Sequence, residues 1–142
     1  MPSPDDPYHL QRFVDAQEPV FEQARAELQN GAKRSHWMWF IFPQIRGLGH
    51  SDTARRFAIS SRQEAEAYLR HPTLGPRLRE CSGLATLVQG RSARQIFGPT
   101  DELKFRSCMT LFAHVTPDNA VFEAALRKYF GGEPDHLTLD LL

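Results

Sequence analysis

Lys104, Ser107, Leu111 and His114 fall on one helical stripe at i, i+3, i+7 and i+10. A lysine beside a serine can act as base and nucleophile when the lysine is desolvated. The competing reading is a lysine that lays its stem over apolar surface and pairs with Asp101, with the serine bonded back to its own helix. Arg106 and Thr110, at i and i+4, form a second polar pair that suits an anion or plain surface equally.

A second cluster lies earlier. Gly47-x-Gly49-x-Ser51 runs into a helix N-terminus, with Arg46, His50 and Arg55 near it. Loop amides, a hydroxyl cap and basic groups are the components of an anion site. The lysine of a P-loop and the full dinucleotide fingerprint are missing, and a tight turn with an ordinary N-cap accounts for the same residues. Trp37 and Trp39, two apart, cannot share a helical face. One indole could then reach the surface or a cleft and stack on a base or sugar, although the preferred reading keeps both in the core. His36 beside Ser35 is not a catalytic pair, since adjacent side chains rarely meet and Ser35 reads as a helix cap. The histidines, His9, His36, His50, His71, His114 and His136, form no HExxH, no i, i+4 pair and no zinc-spaced set with cysteine. No metal and no cofactor is expected. GxSxG is absent, so no nucleophile elbow is indicated.

These groups must be positioned by helices. Asp6-Pro7 suits a helix start, with Leu10, Phe13 and Val14 on one face and a break near Gln17 before Pro19. Val20, Phe21, Ala24 and Leu28 follow on a second helix ended by Asn30-Gly31. The run Trp37–Phe42 has no polar position, so periodicity cannot separate a buried strand from a buried helix. With no second strand to pair with, a short helix capped by Ser35 and stopped before Pro43 is expected. Ser51, Ser61 (with Glu64), Thr73, Ser92 (with Gln95) and Thr100 each read as a helix cap. Apolar residues from Leu103 to Val115 nearly encircle their helix, which should be central. Thr116-Pro117-Asp118 starts a last helix ended by Gly131-Gly132. The expected fold class is all-α: one compact multihelical domain over residues 1–142, of six to eight helices with short loops. Residues 1–5 and about 135–142 are expected to be loose.

Composition agrees. The chain has 142 residues, 41% hydrophobic and 24% charged, which suits one globular domain with its own core. Its net charge is zero but uneven: residues 1–30 carry two basic and six acidic groups, residues 31–106 thirteen and six, residues 107–142 two and five. No long run of like charge occurs, so acidic flanks packed on a basic middle suffice to explain it. A protein neutral overall is a poor candidate for nucleic acid. No stretch approaches the roughly 18 apolar residues of a membrane span. Two unpaired cysteines, Cys81 and Cys108, and an N-terminus without basic or apolar signal regions point to a cytoplasmic protein.

Ser35-His-Trp-Met-Trp-Phe-Ile-Phe-Pro-Gln44, Gly47-Leu-Gly49, His71-Pro72 with Leu74-Gly75, and Ile96-Phe-Gly98 with Asp101, Lys104, Arg106-Ser107 and Met109–Phe112 resemble one bacterial family. It is the domain of unknown function numbered eighteen-ten, and the resemblance spans Asp6 to about Leu142. It implies a compact all-helical fold and no established activity, substrate or catalytic residue. Some members carry a calpastatin label, but inhibitors of that type are long, disordered and coreless. A fainter likeness is to helical enzymes acting on ADP-ribose linkages.

The functional expectation is a small anionic ligand, nucleotide or ADP-ribose-like, in a cleft between segment 36–51 and helix 100–115. Its candidate residues are His36, Trp37, Trp39, Gln44, Gly47, Gly49, Ser51, Lys104, Arg106 and Ser107. The alternatives are a hydrolase or glycosidase using the same cleft, and a homodimeric interaction module; monomer and homodimer both stay open.

Overall fold

Segment 105–113 is buried on almost every side, and neighbouring helices pack round it. In this computed structural model, which describes residues 5–142, the helices are α1 (Gln11–Gln17), α2 (Phe21–Gln29), α3 (Met38–Ile41), α4 (Asp52–Arg56) and α5 (Arg62–Arg70). They continue as α6 (Leu74–Leu87), α7 (Ala93–Phe97), α8 (Asp101–Val115), α9 (Ala120–Phe130) and α10 (His136–Leu141). The fold is all-α. Among the described residues the one β feature is an isolated parallel bridge between Ile45 and Ile59. None of these helices is long and apolar enough to cross a membrane.

Phe105, Cys108, Met109, Leu111 and Phe112 of α8 are completely buried. Leu103, expected among them, is instead 59% exposed on the first turn. Aromatic rings fill the space around α8: Phe105 stacks on Phe97 at 4.6 Å and meets Phe42 edge-on at 5.0 Å, while Phe112 lies 5.4 Å from Tyr68. Each such ring contributes about 1.5–3 kcal/mol by burial alone, so this cluster dominates the stability of the fold.

Caps follow the sequence in part. Ser51, Ser61 and Ser92 accept from the amides of Ala54, Glu64 and Gln95, and Ser92 with Gln95 completes a reciprocal box. Gly31, at φ 70°, ends α2 as expected. Three caps differ. Thr73 and Thr100 make no capping bond. At α6 the amides of Thr73 and Leu74 donate instead to His71 Nδ1, at 3.1 and 3.2 Å. Ser35 caps nothing either, because its hydroxyl donates to Glu27 Oε2 at 2.6 Å. Helix α1 begins at Gln11, later than Asp6-Pro7 suggests, although Asp6 still accepts from the Leu10 and Gln11 amides at 2.7 and 3.0 Å.

The C-terminal segment is helical and docked, contrary to the expectation that it is loose. Asp135 caps α10 through Thr138 and lies 3.0 Å from Ser107 Oγ, while its amide donates to Thr110 Oγ1 at 2.8 Å. Those pegs are polar and distant in sequence, so hydrophobic periodicity cannot reveal them. At the other end, residues 1–4 of the stretch expected to be loose lie outside the described residues.

Candidate functional site

The expected cleft assembles only in part, and it is closed. Lys104 Nζ sits 5.0 Å from the Trp39 ring, and Gln44 and Gly49 border the same crevice. Its volume is about 10 Å³, at the lower edge of the roughly 10–15 Å³ that one water requires. It admits no nucleotide. The remaining candidates point elsewhere. Arg106 donates to Glu133 O at 3.0 Å and lies over Phe130, on the α10 side of α8. Ser107 lies 3.0 Å from both Leu103 O and Asp135, and Lys104 pairs with Asp101 at 3.6 Å. The lysine and serine therefore serve separate contacts. His36 is exposed and outside the crevice, and Ser51 is committed to its cap. Gly47 is exposed and its position faces Leu141. Gly49 is required by space, because a Cβ there would come within 2.5 Å of Ala54 Cβ.

The tryptophans split, Trp39 half-buried and Trp37 sealed at 0% exposure, so only one of the two is fully core as preferred from sequence. The Trp37 indole N–H donates to Glu27 Oε1 at 2.9 Å. The same carboxylate accepts from the Arg34 and Ser35 amides at 2.7 and 3.0 Å and from Ser35 Oγ. Burial alone would raise the Glu27 pKa, but these donors overcome it and hold it at about 2. Lys33 adds a tie, with Nζ 2.9 Å from Asp101 and 5.2 Å from the Trp37 ring. The distinctive decapeptide is thus a clasp joining α2 to the start of α8.

The chain opens a real groove beside α1. The Ile45–Ile59 bridge, with Arg46 N donating to Ile59 O and Ile59 N to Gln44 O, both at 2.8 Å, closes the base of an excursion over residues 46–58. Compact loops with tied ends are a common seat of function. Here the tie sets Arg46 beside Arg55 and Arg56 along one groove of about 410 Å³. Arg12, from α1, is the keystone. It donates to Arg56 O at 2.8 Å, to Ala58 O at 2.9 Å and to Glu64 Oε2 at 2.9 Å, and it also binds the Tyr8 and His9 carbonyls. Beyond it lies a second groove of about 560 Å³, bordered by Asp15, Phe40, Asp52 and Thr53. His9, Arg12 and Arg56 border both. His9 is the one non-glycine residue with positive φ, 53°, among the described residues. Such strain persists only where the surroundings hold it, and here two Arg12–carbonyl bonds do.

Arg46, Arg55 and Arg56 make neither an ion pair nor a side-chain hydrogen bond among the described residues, whereas Arg12 spends its donors on the protein. Arg46 and Arg55 were visible beside the glycine loop. His9, Arg12 and Arg56 carry no sequence signal, because the fold alone joins α1 to the 46–58 excursion.

No curated protein matches the chain. Among solved structures, a conserved hypothetical protein from Mycobacterium tuberculosis is 58% identical, with 96% of this chain and 98% of that one covered at a TM-score of 0.96. The family model described as "Protein of unknown function (DUF1810)" matches residues 7–142. The chain belongs to that family.

Proposed function

We propose that this protein binds a small anion-bearing molecule, with the anionic group on Arg46, Arg55 and Arg56. The observation that supports this reading is the gathering of three unpaired guanidiniums in one groove of a chain whose net charge is zero. Guanidiniums present paired N–H donors that match phosphate and carboxylate, so an incoming oxyanion can form charge-assisted bonds with them. Arg34, Arg70 and Arg127 are also unpaired among the described residues, but none borders this groove. The expected nucleotide-like ligand keeps its anionic character in this reading, and its place moves from the α8 side of α3 to the α1 side.

The free thiols Cys81 and Cys108 are buried, and burial pushes the Cys81 pKa up to about 12. Inert reduced thiols fit a cytoplasmic setting.

Thermal unfolding with inorganic phosphate and pyrophosphate tests the proposal. A ligand tenfold above its Kd stabilises by about 1.4 kcal/mol, which raises Tm by roughly 5 °C in a domain of this size. The rise should shrink with added sodium chloride and vanish in Arg55→Ala/Arg56→Ala. No rise with either anion at about 10 mM, tenfold above a Kd of about 1 mM, contradicts the proposal.

A further inference from the structure

The two grooves flanking Arg12 share Arg12 and Arg56 but differ in what each adds. One offers unpaired arginines; the other offers the carboxylates of Asp15 and Asp52, the Thr53 hydroxyl and the half-buried Phe40 ring. Asp52 makes no side-chain hydrogen bond among the described residues, and Asp15 accepts only one, from Gln11 Nε2 at 2.9 Å. Since His9, Arg12 and Arg56 border both grooves, a single molecule can lie across them. A second anionic group would meet the carboxylates of Asp15 and Asp52 at the end away from Arg46 and Arg55. Hydroxyl groups would be welcome there, because a carboxylate only accepts hydrogen bonds and a vicinal diol donates two. Phe40 offers an apolar face for the carbon skeleton between the ends.

Resting on the anion-binding reading above, we infer that the ligand is a phosphate monoester of a polyol, such as a pentose phosphate or the ribose phosphate part of a nucleotide. The phosphate lies on Arg46, Arg55 and Arg56. The sugar crosses the Arg12 saddle with its hydroxyls donating to Asp52 and Asp15.

Isothermal titration with matched probes tests this. Inorganic phosphate and ethyl phosphate carry the anion alone, ribose 5-phosphate adds hydroxyls, and O-phosphoethanolamine replaces them with an ammonium. We expect ribose 5-phosphate to bind at least about tenfold more tightly than ethyl phosphate, the equivalent of about 1.4 kcal/mol. In Asp52→Ala that advantage should fall to about twofold or less, while ethyl phosphate binds as before or more tightly because a repelling charge is gone. Asp15→Ala, on a different helix, should erode the same advantage, and unchanged melting of each variant in the absence of ligand shows that the fold is intact. Equal affinity for ribose 5-phosphate and ethyl phosphate in the unmodified protein overturns the polyol assignment while leaving anion binding standing. So does preference for O-phosphoethanolamine, which would identify the acidic end as an amine site. Failure of all four probes removes the anion-binding reading itself.

Discussion

Arg12 and Glu64 meet at 2.9 Å with side chains only 13% and 3% exposed, and this pair holds α1 against the 46–58 excursion and the start of α5. Glu64 also accepts from the Ser60 amide and hydroxyl, at 2.9 and 2.7 Å. The ends of the cationic groove are therefore fixed by a nearly dry, fully bonded ion pair. Removing one partner leaves the other charge buried and unpaired, which costs about 3–5 kcal/mol. Arg12→Ala should lower the urea midpoint accordingly and abolish anion binding together with the fold of the 46–58 excursion. A loss below about 1 kcal/mol would mean that the pair is solvated and the groove is not built on it.

Glu27 makes the stability of the fold depend on pH. Its pKa is depressed to about 2, against about 4.3 for a free glutamate. Its stabilisation is complete above the unfolded value, shrinks as pH falls from about 5, and is gone below about 2. The shift corresponds to on the order of 3 kcal/mol. Glu27→Gln should lower stability at pH 7 by a similar amount and flatten the stability profile between pH 5 and 2. A variant that loses stability equally at all these pH values would show that the carboxylate's charge is not what counts.

His71, and not Thr73, starts α6. Its ring nitrogen receives the Thr73 and Leu74 amides, so His71→Ala should cost about 1 kcal/mol, and Thr73→Ala only a few tenths. Chemical denaturation of the two variants decides it; the reverse order would restore the threonine cap.

Much of this architecture can be read along the chain. The burial of α8, the serine caps at Ser51, Ser61 and Ser92 and the glycine end of α2 all follow from local rules, because each depends on residues within one or two turns. The Thr73 cap failed because a nearby side chain, His71, supplies the acceptor instead. The proposed groove was legible only in part. Arg46 and Arg55 stand out beside a glycine loop, but their partner surface comes from α1, some forty residues earlier, through Arg12. Arg106, two residues past Lys104, diverges from it because successive helical residues point about 100° apart, whereas Ser107, on the same stripe as Lys104, is taken by Asp135 and Lys104 by Asp101. The decapeptide stands out for the opposite reason, as a clasp in which Glu27, Lys33 and Asp101 tie down Trp37.

That division yields a control. Ser107→Ala removes one of the two pegs between α8 and Asp135 and should cost about 1–2 kcal/mol, loosening α10. Lys104→Ala breaks only a partly exposed ion pair and should cost less than about 1 kcal/mol. Neither change should alter phosphate affinity by more than about twofold. A tenfold loss in Lys104→Ala would return the ligand to the α8 side of α3.

The most direct test of the cationic groove is a pyrophosphate titration followed by amide chemical shifts. Shifts confined to residues 8–12 and 46–60, saturating and weakened by salt, with no response in Arg55→Ala/Arg56→Ala, are the predicted result. Shifts centred on Trp39, Gly49 and Lys104, or no saturable shift anywhere, would contradict it.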